Sequence, residues 1–216
     1  MRDFIAYTLI ALVLSIVDFH FAGKAFKKTG RIGRALGWSS ACSGIITLAY
    51  LGSVHTKNST WVSLSSSITF ISIDCMLVSV AYYAFLVTGV YRTRWSQVTN
   101  NAIRILACLD ILIMIANVFT GVAVAFDSQL PFGIKYRMKP LYVIHLTFAY
   151  SIVILTLIVL IRKSVKTPRK YHNQYLLIIV AIGVVVLMNA IFLFQEEIPS
   201  SQRWTARPSA TALVCF

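Results

Sequence analysis

The fold class predicted for this chain is all-α: a polytopic helical bundle in a membrane, with six transmembrane helices and the N-terminus outside. Three observations predict it. Of the 216 residues 58% are hydrophobic and only 12% charged, with a mean hydropathy of +0.77, so too few polar groups exist to cover a core of this size in water. Apolar runs long enough to cross roughly 30 Å of hydrocarbon recur along the chain, separated by polar breaks of loop length. The cations alternate between loops: Lys24 to Arg34 holds five, Arg92 to Arg104 three and Arg162 to Lys170 five, thirteen on one side against seven on the other. The richer side is read as cytoplasmic.

In chain order the predicted spans are Phe4–Ala22, Ala35–Val54, Val62–Thr88, Ile103–Phe126, Leu141–Ile161 and Tyr175–Phe194. The first is a true helix rather than a cleaved leader. Its Arg2 is balanced by Asp3, no small-residue cleavage site follows, and five cations stand directly behind it in a stop-transfer arrangement. In the second, Gly37 and Ala41 overlap with Ser40 and Gly44 as small-xxx-small pairs that would let a neighbouring backbone approach closely. The third is long enough to require tilt or an emergent end. After Phe194 the hydropathy pattern stops, and Pro199 and Pro208 oppose a continuous helix. Two regions are therefore expected, a bundle over 1–194 and a polar, disordered tail over 195–216. Starting outside, six crossings would leave that tail outside.

The net charge of +13 is read as topology rather than as a nucleic-acid surface, because the cations lie in separate loops without interleaved aromatics. The bilayer is the expected partner, and the cation clusters would also attract anionic headgroups. Cys42, Cys75 and Cys108 fall inside apolar spans and Cys215 stands alone, which gives no disulfide framework. Nucleotide-binding, zinc-protease, serine-hydrolase and dinucleotide fingerprints are absent. His20, His55, His145 and His172 fall in different loops or spans without ligand spacing. Neither catalysis, a cofactor nor a metal is expected.

Polar residues inside the spans are the candidate site. Asp74 lacks any charged neighbour between Lys57 and Arg92, and at mid-bilayer an exposed carboxylate costs about 2.5–3.5 kcal/mol, so it should face the bundle interior. Ser66, Ser67 and Tyr82 extend a polar stripe along its helix. Asp110, Met114, Asn117 and Gly121 share a face of the fourth helix. Tyr142, His145 and Tyr150 occupy the outer half of the fifth, Asn189 the sixth, and Asp18 and His20 the inner end of the first. Two readings stand. Asp74, Asp110, Asn117, His145 and Asn189 line an interior site for a ligand, a proton or an ion; or they are interhelical hydrogen-bond glue, about 0.6 kcal/mol each.

The stretches Ser66–Tyr91 and Lys139–Phe194 carry S-I-D in the third helix, H-L-x-x-A-Y in the fifth, K-T-P-x-x-Y at Lys166–Tyr171 and N-A-x-F-L-F closing the sixth. Together, from about residue 4 to 194, they make the chain resemble the N-terminal seven-helix sensor region of bacterial histidine kinases and diguanylate cyclases. The resemblance implies a non-enzymatic input module that binds a small ligand, works as a homodimer and passes a rearrangement to a cytoplasmic kinase or cyclase domain. Asp74, His145 and Asn189 are the positions it carries over. Two departures are Cys75, where an aromatic often follows the aspartate, and the lack of a seventh helix and output domain, as in a truncated or frame-disrupted receptor. The rival class is a small proton- or ion-coupled transporter using the intramembrane carboxylates, although no internal repeat is visible and all five prolines lie outside the span interiors.

Overall fold

The computed structural model describes residues 2–28, 30–56, 58–130, 133–166, 168, 172–173, 175–176, 178–180 and 182–184. The chain divides into two compact units, Met1–Val159 and Leu160–Phe216. The described elements are helices α1 (Arg2–Lys27), α2 (Arg31–His55), α3 (Ser59–Val87), α4 (Arg94–Thr120) and α5 (Pro140–Lys166), a single 3-10 turn at Val90–Arg92, and strands β1 (Val124–Leu130) and β2 (Gly133–Met138). Among the described residues five helices are long and apolar enough to cross a membrane. The sixth expected span, Tyr175–Phe194, lies mostly outside the described residues; its described positions are helical. The expected tail, 195–216, lies outside them entirely.

Large apolar side chains point outward, among them Ile16, Ile105, Leu112 and Phe119, whereas Ser15, Thr47, Ser67, Asp74, Asp110 and Asn117 are buried. This inversion of the water-soluble pattern fits a hydrocarbon surround, in which a polar group gains by turning toward other protein groups. The small residues of α2 accept aromatic rings rather than a backbone. A Cβ on Gly37 would stand 2.9 Å from the Phe26 ring and one on Gly44 3.0 Å from the Phe19 ring. Ser15 Oγ donates to the Gly44 carbonyl at 3.2 Å, and Thr8 Oγ1 lies 3.2 Å from His55 Nε2, so α1 is tied to α2 at more than one level.

Polar residues extend each helix beyond its apolar run. Asn58 caps α3, its Oδ1 accepting from the Thr60 and Trp61 amides at 2.9 and 3.5 Å. Thr93 caps α4, its Oγ1 accepting from the Ser96 amide at 3.3 Å. Arg94, expected in a loop, therefore lies on α4. Hydropathy registers only the stretch that needs lipid, and a capped helix continues through the polar interface.

The largest difference from the sequence reading is at the other end of α4, where Ile103–Phe126 was expected as one span. Helix α4 ends at Thr120, because Gly121 adopts φ 57°, a left-handed C-terminal stop. Val124–Leu130 then pairs antiparallel with Gly133–Met138, Val124 opposite Met138 and Phe126 opposite Tyr136, with a bulge between Phe126 and Ser128. The apolar trio Val124, Ala125 and Phe126 has too little periodicity to reveal a strand. The bundle thus carries a β-hairpin between α4 and α5.

Two apolar clusters sit at different depths of the first unit. Ala81 and Phe85 of α3 pack with Ile103 of α4 and Ile152 and Val159 of α5. Toward the hairpin, Met114, Ala123 and Val124 pack with Phe70, Ile71 and Tyr142.

Candidate functional site: a buried acid–imidazole cluster

Between those two clusters α3, α4 and α5 each contribute one ionisable side chain. Asp74 lies one turn past Phe70, Asp110 one turn before Met114, and His145 one turn past Leu141, so helical spacing points all three into the same interior layer. His145 Nδ1 lies 2.6 Å from Asp110 Oδ2 and 3.6 Å from Asp74 Oδ1. The first distance is that of a charge-assisted hydrogen bond, the imidazole N–H donating to the carboxylate. Exposure is 0% for Asp74 and 3% for both Asp110 and His145, so water is excluded.

Aromatic rings close the layer on the hairpin side. Phe70 meets His145 edge-on with ring centroids 5.3 Å apart, Tyr142 lies 5.8 Å from the imidazole, and Phe70 and Tyr142 meet at 5.7 Å. Within the cluster the hydrogen bonding is incomplete. Both oxygens of Asp74 and Oδ1 of Asp110 are buried with no N–H or hydroxyl donor in reach among the described residues, and the two carboxyls lie within hydrogen-bonding reach of each other, a contact that needs a shared proton. Two carboxylates cannot both remain charged beside one imidazole in such a place unless a proton or a cation compensates them. The arrangement can therefore hold and release positive charge.

The structure joins three of the five candidates. Asn117 lies elsewhere, two turns further along α4, where its Oδ1 accepts from the Ala123 and Val124 amides at 2.8 and 2.9 Å and anchors the hairpin. Asn189 lies outside the described residues. Ser66 donates to its own helix, at the Val62 carbonyl, 2.6 Å away. Phe70 was missed by the sequence reading, although its position one turn before Asp74 was a usable signal.

Tyr82 belongs to a second feature, at the end of the bundle that carries the starts of α2 and α4. A cavity of about 330 Å³ is lined there by Arg31, Arg34, Trp38, Val78, Tyr82 and Arg104 among others. The Arg104 guanidinium lies 5.4 Å from the centre of the Tyr82 ring and that of Arg31 5.7 Å from the centre of Tyr91. Both are cation–π contacts.

A family model described as the N-terminal 7TM region of histidine kinase matches residues 4–215. The chain belongs to this family. The match runs past Phe194, where the resemblance was expected to stop, into residues outside those described. Searches of curated proteins and of solved structures found no match. Membership makes the 7TM region a membrane sensory input domain, and its apolar helices make it a multi-pass protein of the cell membrane.

Proposed function

We propose that this 7TM region is the non-enzymatic input module of a signalling receptor, and that Asp74, Asp110 and His145 are its sensing element. The supporting observation is the convergence of three ionisable groups from three helices in a layer sealed from water. Gain or loss of one positive charge there changes the electrostatic balance between α3, α4 and α5. A buried charge stripped of its partner costs about 3–5 kcal/mol. By the rule of tenfold per 1.4 kcal/mol, that shifts a two-state helix equilibrium by a factor of roughly a hundred to a few thousand.

The N-terminus lies outside in this proposal, with a cytoplasmic kinase or cyclase domain receiving the rearrangement across a homodimer. A small ligand or ion reaches the cluster from the hairpin side, to which Tyr142 and Phe70 are nearest. The test joins the full chain to the transmitter of a family histidine kinase. Asp74→Asn and His145→Gln, each confirmed as membrane-inserted and folded by protease resistance, should move basal autophosphorylation by at least about tenfold. Unchanged activity in both would remove the cluster from signalling. Orientation is read separately, from a cysteine placed at Ser128 in a cysteine-free background. Labelling by an impermeant maleimide in intact cells supports an outside hairpin, and labelling only after lysis reverses the topology.

A further inference from the structure

We infer that the Asp74–Asp110–His145 cluster is a binding site for a first-row divalent transition-metal cation, of the class of Zn²⁺ or Mn²⁺. The inference rests on the proposed sensing role and names what is sensed. It departs from the sequence reading, which saw no ligand spacing among the histidines, because the three ligands come from three separate helices and only tertiary packing unites them.

Geometry is the first support. One ligand atom from each of Asp74, Asp110 and His145 lies within 4.8 Å of the other two. Metal–ligand bonds of about 2.0–2.2 Å in tetrahedral array put ligand atoms roughly 3.3 Å apart. The observed separations of 2.6 and 3.6 Å between His145 Nδ1 and the two carboxylates bracket that value, so side-chain rotations that move these atoms by less than about 1 Å bring both pairs to it. Nδ1 is the ring nitrogen turned toward both carboxylates, and in the metal-bound form it carries no hydrogen.

The second support is the lack of donors. Asp74 is wholly buried, yet among the described residues neither of its oxygens nor Asp110 Oδ1 meets an N–H or hydroxyl donor, and the contact between the two carboxyls needs a proton or a cation between their oxygens. Native interiors seldom leave buried carboxylate oxygens unsatisfied, and an ion that the protein is built to hold is a recognised reason.

Charge supplies the third. Two carboxylates and a neutral imidazole sum to −2, which a divalent cation cancels, leaving a neutral centre among Phe70, Tyr142 and Met114. A monovalent ion would leave a net charge in the membrane interior, at a cost of several kcal/mol. The donor set selects further. Calcium and magnesium want six or more oxygens or retained waters, whereas one imidazole with two carboxylates suits zinc or manganese, and the trio offers no thiolate to favour copper(I). Three protein ligands leave one position open.

The experiment uses the purified full chain in detergent, stripped with chelator and titrated with Mn²⁺, Zn²⁺, Mg²⁺ and Ca²⁺. The expected result is one Mn²⁺ or Zn²⁺ per chain, a raised unfolding temperature with those two ions, and no shift with Mg²⁺ or Ca²⁺ at equal concentration. Pulsed electron paramagnetic resonance of the Mn²⁺ form should show nitrogen coupling from one imidazole, absent in His145→Gln. Partners of metal ligands already change affinity about 10–100-fold, so Asp74→Asn and Asp110→Asn should weaken binding by at least that much. No stoichiometric Mn²⁺ or Zn²⁺ on the unaltered chain overturns the inference without reliance on any variant. Binding retained in His145→Gln together with Asp74→Asn also overturns it, by placing the metal elsewhere. If the metal is absent while the kinase fusion still responds to Asp74→Asn, the sensing role stands with a proton or organic ligand. If the metal binds while the fusion is silent, the site is real and the sensing role falls.

Discussion

Replacing Asn117 by Ala should detach the hairpin from the end of α4 while leaving the helices inserted. In the native chain one oxygen, Asn117 Oδ1, receives both the Ala123 and the Val124 amides, at 2.8 and 2.9 Å. Those residues are 0% and 5% exposed, so water cannot take the place of the lost acceptor without local opening. A buried donor left unsatisfied costs about 1–3 kcal/mol, and two of them about 2–6. The hairpin can relieve part of this by fraying, which makes the lower end, about 2 kcal/mol, the expected local effect. That corresponds to roughly thirtyfold faster exchange of the two amides. Hydrogen exchange with mass spectrometry on the detergent-solubilised chain measures it, with peptides of α1 and α2 as internal controls. Asn117→Asp, which keeps the acceptor, should exchange more slowly than Asn117→Ala. If Asn117→Ala leaves exchange at Ala123 and Val124 unchanged, the Asn117 amide is not what holds the hairpin.

Three further outcomes follow from the packing. Gly121→Ala should cost about 1–2 kcal/mol in a denaturant titration, because the backbone at φ 57° disfavours a Cβ while no atom lies near enough to clash. Gly37→Val should weaken α1–α2 packing by about 1–3 kcal/mol through collision with Phe26, and Phe26→Ala in the same chain should recover part of that loss; no recovery would place the strain elsewhere. Removing two guanidinium groups from the arginine-lined cavity, with Arg31→Gln and Arg104→Gln together, should reduce co-purified anionic phospholipid, since each cation near the headgroups contributes about 1 kcal/mol. Lipid mass spectrometry that shows an unchanged ratio of anionic to zwitterionic lipid would deny the cavity that role.

How far the site was legible can be judged from individual residues. Asp74 declared itself by isolation: one acid in a long uncharged stretch cannot face lipid, and it is wholly buried. Asp110 and Met114 were placed on one face by helical spacing, and both are interior. Asn117 shares that face, yet its partner is a strand that hydropathy had counted as helix, so its task was invisible. His145 was noticed as a polar residue in an apolar span, but its distance to Asp110 depends on how α5 lies against α4, which no spacing within either segment encodes.

Composition and the run lengths of apolar residues were enough to determine that this chain lives in lipid as a helical bundle, because burying a backbone in hydrocarbon leaves few options and a span advertises its own length. The positions of the five described helices follow from that alone, to within a turn or so except where caps or Gly121 intervene. Only the tertiary structure decided which polar groups meet. Pairing between helices depends on relative rotation and depth, set by many weak contacts such as Phe26 against Gly37 and Phe85 against Ile103, and none of these leaves a signature in either helix taken by itself.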